Sequence, residues 1–176
     1  MPKGPFTAEE FIATQWNTAE NKAEFGNHLL RFIEAGFPQN LFTKTLYNRL
    51  SMCFQHIAHC DIHGFYAEWF TTPGDQARFL TRALRSPCYG DPAYTYSDVE
   101  KRVQDEIRRR NYVAIYRLRA AEAQRSAELA LLERLESKYG QPLLAGSDRP
   151  AIESVNPAPP PAMPNERVVA VQQSLF

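Results

Sequence analysis

Five side chains able to bind metals or act as nucleophiles crowd one short segment, Cys53-Phe-Gln-His56-Ile-Ala-His59-Cys60-Asp-Ile-His63. At 100° per residue they would fall within about 120° of one another on a helix. His59 and His63 are four apart, as are His56 and Cys60, and that spacing lets two side chains reach one ion. His56, His59, Cys60 and His63 are therefore the candidate metal ligands, and zinc is the ion such a set would take. Cys60 occupies the position where a zinc-protease helix carries its Glu, and no fourth ligand from a second element stands out. The competing reading is a polar packing face whose imidazoles hydrogen-bond to neighbouring helices. Leu46, Tyr47, Leu50, Phe54 and Ile57 mark a separate apolar face.

A second constellation is cationic. Residues 101–125 carry eight Lys and Arg against Asp105, Glu106 and Glu122. Lys101, Arg102, Arg108, Arg109 and Arg119 cluster on one side of the expected helix, with Tyr112 and Tyr116 among them. Val103, Ile107, Ala114, Leu118, Leu129 and Leu132 mark roughly the opposite side. Cations interleaved with aromatic rings can hold phosphates and stack bases, so these seven residues are the candidate nucleic-acid contacts. Against this, Asp98–Arg102, Asp105–Arg109 and Glu106–Arg110 have the spacing of pairs that stabilise an exposed helix.

The third constellation is the end of the chain, Gln172-Gln173-Ser174-Leu175-Phe176. It resembles the pentapeptide by which bacterial proteins bind the DNA-polymerase sliding clamp, which has Gln first, Ser or Asp third, Leu fourth and Phe fifth. Gln172, Ser174, Leu175 and Phe176 match, and Gln173 stands at a variable position where Leu is frequent. The resemblance implies that Leu175 and Phe176 fill an apolar pocket while Gln172 hydrogen-bonds at a second subsite. One or two buried apolar anchors suffice to give a short extended peptide its affinity. Ser174-Leu175-Phe176 also fits a PDZ-type ligand, and Val168-Val169-Ala170-Val171 could fold back on the core.

Helices must position these groups. Thr7-Ala-Glu-Glu10 and Ser97-Asp-Val-Glu100 have the capping-box pattern. Thr18 caps a helix that ends at Gly36, with Pro38 beyond, and Leu29, Leu30, Phe32 and Ile33 form its apolar stripe. The next helix is expected from about Asn40 to His63, with Gly64 as its left-handed stop. Thr72-Pro73 opens another that closes before Pro87. Residues 88–96 are turn-rich, and one long helix is expected from Ser97 to Tyr139, stopped by Gly140 and Pro142. Strand alternation is missing from residues 1–139. The fold class is all-α: about five helices in one domain over residues 1–140, a disordered proline-rich linker over 141–171, and the peptide 172–176.

Composition agrees with this division. Of 21 aromatic residues, 20 lie before residue 140, while residues 141–176 hold seven of the 13 prolines. Such a segment has too little apolar bulk to offset its ordering entropy. Lys+Arg and Asp+Glu are equal at 20 each, which removes bulk electrostatic attraction to polyanions. No apolar run is long enough for a membrane span, no secretory leader is evident, and three cysteines without framework spacing suit a reducing, cytoplasmic setting. The leading expectation is a non-enzymatic adaptor on the sliding clamp, linked to DNA replication or repair, with DNA as a second partner. Its rival is a metal-binding helical protein or enzyme using residues 53–63.

Overall fold

The computed structural model describes residues 4–54 and 61–140. All regular structure in them is helical: α1 Ala19–Glu34, α2 Lys44–Met52, α3 Ile62–Phe70, α4 Pro73–Arg85, α5 Ser97–Arg109 and α6 Tyr112–Tyr139, with single 3-10 turns at Ala8–Glu10 and Gln39–Leu41. No described helix is long and apolar enough to cross a membrane. The stretches 55–60 and 141–176, which include His56, His59, Cys60 and the terminal pentapeptide, lie outside the described residues.

Local signals govern the ends of α1 and α4. Thr18 accepts the Asn21 N–H at 3.3 Å, and Thr72 accepts that of Asp75 at 3.1 Å, with Pro73 following as the first helical residue. At the end of α1, the Phe37 N–H donates to Phe32 O and the Gly36 N–H to Ile33 O, with Gly36 at φ +87°. This double bond pattern closes the helix. The accompanying apolar contact is the edge-to-face pair of Phe32 and Phe37, whose centroids are 5.0 Å apart.

Two expected helices are broken. The helix expected over 40–63 stops at Met52, because Cys53 is extended and Phe54 is left-handed at φ +54°. Tertiary bonds hold that turn: the Ser86 hydroxyl donates to Phe54 O at 2.9 Å, and the Phe54 ring is buried. A new helix, α3, then starts at Asp61, whose carboxylate accepts the Gly64 N–H at 2.7 Å, so Gly64 lies inside a helix instead of ending one. The helix expected over 97–139 divides at Asn111, also left-handed at φ +54°. The division lets α6 turn back and lie along α4.

The core is largely aromatic. Phe70 at the end of α3 meets six other rings: Phe32, Phe37, Phe42, Phe65, Tyr66 and Phe79, at centroid distances of 4.9–6.0 Å. Most of these contacts are edge-to-face or tilted, the arrangement that aligns ring edges with neighbouring faces. Tyr116 of α6 joins through Phe37 at 5.2 Å and donates its hydroxyl to Ile33 O at 2.5 Å. Phe70→Ala is expected to cost about 3–5 kcal/mol, the range for a truncated buried Phe. Urea unfolding should show this as a lower midpoint with an unchanged slope.

Candidate functional site

The structure separates the residues expected to act as one metal face. Cys53 ends α2 and is buried, whereas His63 is exposed on the first turn of α3. The helical register that would have aligned them is therefore interrupted at residues 53–54. His56, His59 and Cys60 lie between, outside the described residues. Among the described residues, no group of three or more His, Cys, Asp or Glu side chains is placed to hold a metal ion.

The expected cationic face is also redistributed. Tyr116 is 1% exposed and Tyr112 is buried beside Glu34, to which its hydroxyl donates at 3.2 Å, so neither ring is open to stack a base. Most of the arginines have partners. Arg102 pairs with Glu10, and Arg110 pairs with Glu34 and with Glu106 at 2.8 Å. Arg108 reaches Asp105 at 3.1 Å and Leu84 O at 3.4 Å. Arg109 grips Glu106 with two nitrogens at 2.9 and 2.6 Å. Arg119 lies 4.8 Å from the centroid of Tyr116. Lys101 stays exposed, with no ion pair among the described residues. Of the opposite, apolar side, Val103 and Ile107 are buried, but Leu118, Leu129 and Leu132 are exposed beyond the break.

A feature the sequence pattern concealed lies under α5. Ser97 and Glu100 do not form a capping box: Ser97 is the first helical residue and donates to Gly90 O at 2.9 Å. Glu100, 9% exposed, turns inward toward the Phe54 amide and the thiols of Cys53 and Cys88, which act as donors on its carboxyl. Burial raises the Glu100 carboxyl above its ordinary pKa against the opposing pull of these donors. Burial, reinforced by the nearby carboxylate, pushes Cys53 well up and Cys88 up to about 11. Both thiols stay protonated at neutral pH, which makes them hydrogen-bond donors and not nucleophiles.

Above Glu100 opens a cavity of about 550 Å³ walled by Trp16, Met52, Tyr89, Tyr94 and Tyr96. Its walls are pinned. The fully buried Lys22 of α1 donates to Pro92 O at 2.7 Å and to both oxygens of Asp98 at 3.0 and 3.1 Å, which fixes the 88–96 loop between α1 and α5. The same Asp98 accepts the Ile12 N–H, and Thr14 accepts the Trp16 and Asn17 amides, so the segment carrying Trp16 is tied to α5 as well.

A second concave surface, of about 470 Å³, runs between α4 and α6. Arg78, Arg82 and Arg85 line one wall at helical spacing, and Arg117 of α6 lines the other. A window count of charge along the chain misses it, because the two walls are far apart in sequence.

The described residues thus form an all-α fold of six helices, the last of them long, carrying an aromatic cavity and an arginine cleft. No family model matches this chain, nor does any curated protein or solved structure.

The Glu100 environment has a pH signature. A carboxyl raised on folding holds its proton in the native state after the unfolded chain has released it, so its contribution to stability falls as pH rises from about 4.5 through the raised value. Glu100→Gln removes that proton linkage. The expected outcome is that the difference in unfolding free energy, variant minus wild type, shifts in the variant's favour as pH rises above 4.5, by no more than about 1.4 kcal/mol per pH unit. Urea melts of both proteins between pH 4.5 and 8 measure it.

Proposed function

We propose that this chain is a non-enzymatic adaptor that docks on the bacterial replication sliding clamp through Gln172, Ser174, Leu175 and Phe176, in DNA replication or repair. The observation that supports this reading is the match of those four residues to the clamp-binding pentapeptide. The arrangement of the chain suits the role. Residues 141–171 separate the motif from the end of α6, and 31 extended residues reach at most roughly 110 Å. A domain on such a connection gains local concentration near DNA once its tail is held.

A peptide of residues 164–176 contains the whole motif and none of the helical domain. It is expected to bind purified bacterial sliding clamp with micromolar affinity, about −8 kcal/mol or weaker, because so short a peptide buries little area and loses freedom on ordering. Changing Leu175 and Phe176 together to Ala should remove detectable binding, and Gln173→Ala should change it little. Fluorescence anisotropy with labelled peptide measures all three. No binding of the wild-type peptide at about 100 μM clamp would remove this function.

A further inference from the structure

We infer that the cleft between α4 and α6 holds the phosphate backbone of a nucleic-acid strand, gripped by Arg82, Arg85 and Arg117. The inference rests on the DNA-linked reading above for its choice of polyanion, while its residues are separate from the tail. On α4, Arg78, Arg82 and Arg85 climb one face over seven residues, an axial distance of about 10 Å. Arg78 is already engaged: it stacks 4.5 Å over Trp69 and pairs with Glu68 at 2.7 Å and Asp75 at 3.2 Å. Its role is to close one end of the cleft. Arg82 and Arg85 are exposed and have no ion pair among the described residues, in contrast to the neutralised arginines of α5.

Arg117 faces them from α6, oriented by a 3.4 Å hydrogen bond from its Nη2 to Thr81 Oγ1. That hydroxyl in turn donates to Ala77 O at 2.8 Å, which sets its lone pairs toward the guanidinium. Three guanidinium forks without ion pairs among the described residues thus line two walls of a cleft whose described lining includes no carboxylate. Forked donors approaching from two sides suit tetrahedral phosphates, each with several acceptor oxygens. A row of charges along a helix suits a repeating anion better than a single one. The rest of the lining, Trp69, Ala77 and the arginine stems, offers the apolar contact that sugars and bases need.

The test uses the full-length protein and a labelled oligothymidylate of about 20 nucleotides, titrated by anisotropy at about 50 and 200 mM salt. Wild type should bind, and more weakly at the higher salt. Arg82→Gln/Arg85→Gln/Arg117→Gln should bind at least about tenfold more weakly, with a log–log salt slope shallower by about 2, the value for three lost phosphate contacts on a single strand. The paired arginines give the control: Arg102→Gln/Arg109→Gln should stay within about twofold. Replacing the same three cleft residues by Lys keeps the charge, and that variant should bind more tightly than the Gln variant. Absence of wild-type binding, equal binding by wild type and the Gln variant, or an equal loss in the control would each overturn the inference. So would a Lys variant as weak as the Gln variant, which would trace the loss to packing. Displacement by polyglutamate as effective as by unlabelled oligonucleotide would assign the cleft to acidic polypeptides and overturn it too. Because the clamp experiment uses residues 164–176 alone, its outcome is independent of these.

Discussion

The ring of Phe70 is the contact on which the arrangement of the helices turns. It ends α3 and inserts among aromatic residues from α1, from the segment leading into α2 and from α4, while Tyr116 of α6 enters the same cluster through Phe37. Edge-to-face contacts are directional, so a cluster of this kind fixes angles between helices as well as distances. With Phe70 pointing inward, its neighbour Trp69 lies at the surface, where Arg78 stacks on it. The geometry of the arginine cleft is therefore a by-product of how the core is packed.

Two buried polar ties complete the domain where aromatic packing thins out. Lys22 and Asp98 hold α1, α5 and the 88–96 loop together, and the inward Glu100 carboxyl lies beside the Phe54 amide and two thiols. Groups of this kind contribute little net stability over an apolar equivalent, but removing one partner leaves the other stranded. Their effect is to select one arrangement of the chain. Among the described residues, no buried side-chain polar atom lacks a hydrogen-bond partner.

The features legible in the sequence were those set within a few residues: the Thr18 and Thr72 caps, the stop at Gly36, the turn-rich 88–96 loop and the all-α class itself. The breaks at Phe54 and Asn111 were hidden because neither has an adjacent glycine or proline. Both are left-handed residues whose surroundings are held by groups far along the chain: Ser86 bonds Phe54 O, and Glu34 bonds Arg110 and Tyr112 on either side of Asn111. Ser97 and Glu100 had the right spacing for a capping box, but burial drew the carboxyl inward. Arg102 read as a local partner of Asp98, but it pairs with the remote Glu10, whereas Arg110 keeps the expected Glu106 and adds the remote Glu34. The cleft arginines escaped notice for the opposite reason, being divided between two helices. The residues carrying the clamp resemblance, and three of the four candidate metal ligands, lie outside the described structure.

The long helix α6 leads two lives. Up to Ala120 it is held by Tyr112, Tyr116 and its contact with α4, whereas every residue from Ala121 to Gly140 is exposed. That outer half is about 30 Å of helix supported by its own backbone bonds, a high content of Ala, Leu and Glu, and local pairs such as Gln124 with Glu128 at 2.8 Å. Helix propagation from the anchored first half spares this stretch the cost of nucleation, but without tertiary packing its far end frays first. Its amides are therefore expected to open to hydrogen exchange more easily toward Tyr139 than those between Tyr112 and Ala120, which are held by packing on the domain. The far end of the rod is expected to add a gradual, sloping decline of helical circular dichroism ahead of the cooperative transition that carries the aromatic near-ultraviolet signal of the Phe70 cluster.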